Sequence, residues 1–226
     1  MSLNTILAIS ESVGINDHRF VGQMVSRNQR ISTAEIVTVV PFSFDMKPMD
    51  YLLYSQNRSL LNSLRIADKS LEQYLNFGST GWSNYIAYQG DMTPAQIVTC
   101  QWSSASSAKN LVLDSLPSID ASAYIVKAGD FCQVGRYAYI ATTDVQRGVD
   151  SIVSIPVHRN LIDSFTSPIN AVIGQYGTTV SMGGTSYTGV TFPVILRNYP
   201  EYKLIPMTND SFIQWYGSFS AFESVL

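Results

Sequence analysis

The sequence predicts a mainly β chain with one helical region, and three observations carry that prediction. Ile36, Thr38, Val40, Phe42, Phe44 and Met46 recur at period two, which sets them on one face of a strand. Short apolar runs separated by turn residues fill 123–160, the spacing of a small barrel or sandwich. Only 49–76 changes period. There Leu53, Leu60, Leu64, Ala67, Leu71 and Leu75 step by three, four or seven residues, the stripe of an amphipathic helix.

The elements follow in order. Residues 1–19 are weakly patterned and read as an N-terminal arm. From Phe20 to Met46 the reading is β, with Pro41 on the opposite parity marking an edge or a bulge. Asp50 is the expected N-cap of the helical region and Asn76-Phe77-Gly78 its stop. Residues 96–102 (QIVTCQW) and 109–113 (KNLVL) read as strands joined by the connector SSASSA. Gly129-Asp130, Gly135-Arg136 and Arg147-Gly148 mark turns around the strands FCQV, YAYIATTDV and SIVSIPV. Gly183 and Gly184 suit a hairpin tip at 182–189, since paired glycines supply positive φ. Two closing strands are expected, Tyr202–Met207 and Phe212–Phe222, with Asn209-Asp210 between them and a bulge at Gly217.

Composition narrows the function. The 226 residues suffice for one large or two small domains. Apolar residues make up 46 % and charged residues 14 %, against roughly 25 % charge in an ordinary soluble domain. So little charge suits a surface largely covered by neighbours. The net charge is −3, and no basic run points to a nucleic-acid grip. Cys100 and Cys132 are too few and too far apart for a disulfide framework, which fits synthesis in a reducing cytoplasm. No apolar run approaches the roughly 18 residues of a membrane span. The N-terminus has neither the basic start nor the long apolar stretch of a secretory signal.

A search for chemistry returns little. His18 lies in the polar arm beside Asp17 and Arg19, and His158 follows a strand in PVHRN; neither has the spacing of a zinc site. Cys132 and His158 make a poor nucleophile and base, because Cys132 sits in an apolar strand. GxSxG, GxGxxG and GxxxxGK[ST] do not occur. Asp130 and Asp144 read as turn and strand-end residues. No catalytic, cofactor-binding or metal-binding residue is expected.

Three stretches carry a resemblance. The first, 26–64, runs from an Arg-bearing hairpin strand through an apolar strand into a helix. The second, 123–161, has the form AGD-aromatic-x-x-x-G, strand, T-x-D-V, strand, then an arginine. The third, 202–226, is a closing strand pair ending on Phe219, Phe222 and Glu223. Together they resemble minor tail proteins of tailed bacteriophages, of the distal-tail or baseplate-hub type. The resemblance implies a tail-tube-like β-sandwich or barrel over 20–88 and 199–226 with a flanking helix. A small β-barrel domain is inserted over 89–198.

The same resemblance implies a six-fold or three-fold ring of copies around a tail channel, linking tube to hub or fibres in the virion. Its partners are other tail proteins (tube, hub, baseplate), with transient contact with DNA at most and no membrane. Assembly takes place in the host cytoplasm. Arg27 and Arg30 would face the lumen or the next subunit, and the hairpin at Gly183, Gly184 and Tyr187 would reach a neighbouring ring. A carbohydrate- or receptor-binding module is the alternative, with Trp82, Tyr85, Tyr88 and Trp102 stacking on sugars. A cell-wall hydrolase using His158 is a third.

Overall fold

The computed structural model describes residues 3–16, 21–25, 31–35, 41–68, 70–78, 80–104, 109–163, 165 and 168–225, with backbone alone over 21–25 and 31–35. It is mainly β with a small helical part. α1 (Leu3–Ala8) leads into β1 (Ser10–Asn16) and the hairpin β2 (Val21–Val25) and β3 (Ile31–Glu35). β4 (Ser43–Pro48) and β5 (Leu52–Leu53) precede α2 (Tyr54–Ile66). β6 (Gln73–Asn76) and a 3₁₀ turn (Ser83–Ile86) bring the chain to α3 (Pro94–Thr99). Short strands follow: β7 (Gln101–Ser104), β8 (Asn110–Asp114), β9 (Tyr124–Val126), β10 (Phe131–Val134), β11 (Tyr137–Ile140), β12 (Val145–Gln146) and β13 (Val153–Pro156). β14 (Ile169–Asn170), β15 (Val172–Ile173) and β16 (Tyr176–Gly177) lead to the hairpin β17 (Val180–Met182) and β18 (Thr185–Tyr187). β19 (Thr191–Asn198), β20 (Glu201–Pro206), β21 (Ser211–Tyr216) and β22 (Phe219–Glu223) close the fold.

Two hydrophobic cores organise these elements. The first lies on the antiparallel sheet β1-β4-β22-β19-β6. Alternation along β4 buries Phe44 and Met46 and exposes Asp45 and Lys47, as period two requires. Phe44 and Phe77 meet Phe192 edge-on, and Phe42 and Phe131 join the same cluster. The second core holds Trp102, Ile125, Cys132, Tyr139 and Ile155 among its members. Around it stand the sheets β13-β8-β7-β14 and β11-β10-β15-β16. β19 belongs to the first sheet, whereas the sequence boundary assigns 191–198 to the inserted unit; its Thr191 and Phe192 also meet Gln133 and Phe131 of that unit.

Several sequence expectations change. The first residues are not an arm: Leu3, Ile6 and Leu7 are fully buried, and β1 pairs with β4. Trp82 donates its indole N–H to the Leu7 carbonyl at 3.0 Å, and the Tyr85 hydroxyl donates to the Val13 carbonyl at 2.6 Å. α2 starts four residues later than Asp50 and stops ten residues before Asn76. Beyond it Asp68 accepts from the Ser70 N–H and hydroxyl, a local turn that competes with helix. Leu75 then lies in a core strand, not on a helix stripe. Helix α3 takes the first part of the strand expected at 96–102, because Thr93 and Gln96 form a capping box with Pro94 at the first position, and strand begins only at Gln101. The expected Phe212–Phe222 strand is two strands in different sheets, parted at Gly217 with φ of +102°.

A buried ion pair joins the two lobes. Arg159 and Glu223 have side-chain exposures of 1 % and 0 %. The guanidinium grips both carboxylate oxygens, with Nη2 to Oε1 at 2.7 Å, and also donates to the Ala138 carbonyl at 2.6 Å. It stacks 4.9 Å from the Phe42 ring and 5.2 Å from the Tyr139 ring. Glu223 Oε2 also accepts from the Phe42 N–H at 3.0 Å. Beside it the Gln133 side-chain amide binds the Thr191 backbone at both ends, 2.8 and 3.0 Å.

Arg159→Met leaves a buried carboxylate unpaired and is expected to cost about 3–5 kcal/mol in denaturant unfolding; Arg159→Met with Glu223→Leu recovers most of that loss. Leu7→Ala is expected to cost about 2–5 kcal/mol. An unfolding midpoint unchanged by Leu7→Ala would return 1–19 to an arm.

Candidate assembly surface

The β20–β21 hairpin and α2 together form a candidate surface. β20, β21 and β5 form a three-stranded sheet in that order, so among the described residues β20 is paired on one side only. One face of this sheet turns inward, where Ile213 and Trp215 are buried in the first core. The other carries Lys203 over the Tyr216 ring at 4.8 Å, and Phe212 edge-on to Tyr51 at 5.9 Å. Tyr51 holds a positive φ of 64°, uncommon for a large side chain. Met49, Tyr51, Leu204, Met207 and Tyr216 are all more than 40 % exposed. Exposed apolar side chains on a strand with a free edge are a usual mark of a pairing surface.

The hairpin turn also starts the helix. The residue preceding α2 is Leu53, which has no capping side chain. Asp210 supplies the cap from across the chain: its carboxylate accepts from the Ser55 N–H at 3.2 Å, the Ser55 hydroxyl at 2.6 Å and the Ser211 N–H at 2.7 Å. The Ser55 hydroxyl first, and then the Ser211 N–H, hold the Asp210 carboxyl below the usual carboxylate range.

Between helix and hairpin runs a groove in two parts. The polar part, about 560 Å³, is lined by Ser55, Arg58, Ser59, Asn62, Arg65 and Tyr202 among others. The apolar part, about 270 Å³, is lined by Leu61, Leu64, Tyr199, Tyr202, Trp215 and Phe219, with Arg65 at its rim. Leu61, Arg65 and Tyr202 line both parts. Trp215 is 6 % exposed, and its indole N–H has no hydrogen-bond partner among the described residues. Burying such a donor unmet costs about 1–3 kcal/mol; the groove itself is bordered by two cations, Arg58 and Arg65.

The residues singled out from the sequence are placed as follows. Arg27 and Arg30 lie outside the described residues, as does His18. Gly183 and Gly184 have φ of +56° and +77° and form the expected hairpin tip. That hairpin packs back on β6: Tyr187 lies 6.0 Å from the Tyr74 ring, and Gly183 sits so close to Tyr74 that a Cβ there would fall 2.5 Å from the ring. Trp102 is fully buried and donates to the Gln133 carbonyl at 2.8 Å. The Tyr88 hydroxyl donates to the Ile125 carbonyl at 2.6 Å. Tyr85 is 45 % exposed, and its ring stands at 59° to that of the half-buried Trp82, so the four rings do not share one plane.

His158 Nδ1 accepts from the Ile140 N–H at 3.0 Å, and its ring lies 5.2 Å from that of Phe42. Burial pushes the Cys132 thiol well above its usual range and the Cys100 thiol up to about 11, so neither is a ready thiolate. Asp130 accepts from the Gln89 and Lys127 N–H groups at 2.8 Å each. Asp144 accepts from the Ala128 N–H at 2.8 Å. Among the described residues no three His, Cys, Asp or Glu side chains gather as a metal site. No helix among them is long and apolar enough to cross a membrane.

No protein-family model matches the chain, and no curated protein matches it at a significant level.

A folded-state value below the unfolded one stabilises above the unfolded carboxylate range and is lost as pH falls through the folded value. At neutral pH the wild type is therefore expected to melt above Asp210→Asn, and the gap closes on acidification. A gap independent of pH would remove Asp210 from the cap.

Proposed function

We propose that this chain is a structural subunit that assembles with copies of itself into a ring, six-fold or three-fold, in the tail tip or baseplate of a tailed bacteriophage. The supporting observation is the three-stranded sheet β20-β21-β5, whose β20 edge is unpaired among the described residues and which lies with exposed Leu204, Met207, Tyr216 and Tyr51. A monomer gains nothing from such an edge, whereas a neighbouring copy covers it. The charge content of 14 % is consistent with a surface buried in an assembly.

The phage setting rests on the three resembling stretches. Two of them end on residues that meet in the fold, since Arg159 closes 123–161 and Glu223 lies near the end of 202–226. In this reading the chain encloses a tail channel, links the tube to hub or fibres, and acts by contact, without catalysis. For a receptor-binding role, Trp102 is fully buried and the partly exposed Trp82 and Tyr85 rings stand 59° apart, which gives that reading less support.

Light scattering of purified protein is expected to give several times 25.0 kDa, with rings in negative-stain images. Leu204→Lys with Tyr216→Lys is expected to return the mass to one chain while the circular dichroism spectrum stays unchanged. A wild type that keeps the mass of one chain at every concentration overturns the reading.

A further inference from the structure

The groove beside α2 has a complement elsewhere on the same molecule. Val149 is 92 % exposed, the highest value among the exposed large apolar side chains, and Ile152 is 46 % exposed. Asp150 lies between them and is exposed. An apolar side chain in water next to a carboxylate is an unusual thing for a loop to present, and this loop is firmly held. Arg147 Nε donates to the Pro117 carbonyl at 3.1 Å, and Arg147 Nη1 donates to the Asp150 carbonyl. The Arg147 and Gly148 N–H groups donate to the Ala123 and Ala121 carbonyls at 2.8 and 2.9 Å. Gly148, with φ of +58°, turns the chain outward. Pre-ordering of this kind lowers the entropy lost on docking.

Resting on the ring reading above, we infer that the loop 149–152 of one copy docks into the α2–β20 groove of the next. Val149 enters the aromatic pocket of Tyr199, Tyr202, Trp215 and Phe219. Asp150 meets Arg65, which lines both parts of the groove. Arg58, about two helical turns from Arg65, extends the positive field towards an acidic visitor. The chain carries a net charge of −3, so a second copy is itself an acidic partner. Groove and loop belong to different lobes, one beside the first core and the other beside the second. A contact between two different patches is heterologous, and heterologous contacts generate rings when the rotation closes.

Site-directed cross-linking tests the contact. Cys100 and Cys132 are buried, so new surface cysteines report alone. Val149→Cys and Asn62→Cys chains, mixed and treated with a short bis-maleimide, are expected to yield a covalent dimer that neither variant gives by itself. Val149→Asp is expected to weaken association at least ~10-fold, from the loss of one buried valine. Arg65→Glu and Asp150→Lys each weaken it, and their combination restores it. Because all four positions are on the surface, unchanged melting curves confirm that the variants fold. A wild type that forms rings, with no cross-link and no effect of Val149→Asp, overturns the loop-in-groove contact and leaves the ring reading standing. A wild type that stays a single chain overturns both.

Discussion

Arg159 and Glu223 hold the architecture together. A guanidinium and a carboxylate removed from water lose several kcal/mol of hydration each, and their mutual attraction offsets this only when geometry and further hydrogen bonds are good. Here both conditions hold. The grip is bidentate, the guanidinium also serves the Ala138 carbonyl, and the carboxylate also serves the Phe42 N–H. Two aromatic rings cover the cation. The pair ties the loop after β13 to the last strand of the first sheet, so it specifies how the two lobes meet. Apolar packing between the lobes, through Phe42, Phe131 and Phe192, is not directional; the ion pair is.

The rest of the junction follows the same logic of backbone groups satisfied by side chains. Gln133 takes the place of a neighbouring strand for Thr191, and His158 accepts from a β11 N–H. Glu72 and Arg136 add an outer ion pair at 2.5 Å, more exposed and hence worth less. With the interior closed in this way, the β20–β21 hairpin is one place among the described residues that keeps an open strand edge and exposed apolar side chains. The proposed ring uses that edge.

Much of the strand pattern was legible because period two survives any tertiary setting in which one face is buried. Phe42, Phe44 and Met46 point inward as the alternation requires, and the strands at FCQV, YAYI and VSIP lie where turn residues bracket them. The helices were less legible. A leucine stripe continued through Leu71 and Leu75, yet Asp68 and Ser70 broke the helix by a local turn. The capping box of Thr93 and Gln96, with Pro94 at the first position, starts a helix despite the β-branched run Ile97-Val98-Thr99. The candidate groove was not legible, since Arg65, Tyr202 and Trp215 come from three elements that only the fold brings together.

The N-terminal residues make the distinction clearest. Their pattern is weak because a six-residue helix buries only Leu3, Ile6 and Leu7, and it needs Trp82 and Tyr85 from far along the chain to pin it. By itself the sequence determined the β-rich class, the turn sites, the Gly183-Gly184 hairpin and the scarcity of charge, all of which depend on neighbours within a few residues. Tertiary structure alone decided which aromatic rings are interior, which strands share a sheet, and that Arg159 would meet Glu223. Those outcomes are set by pairing between distant segments, where burial and desolvation outweigh anything that local spacing encodes.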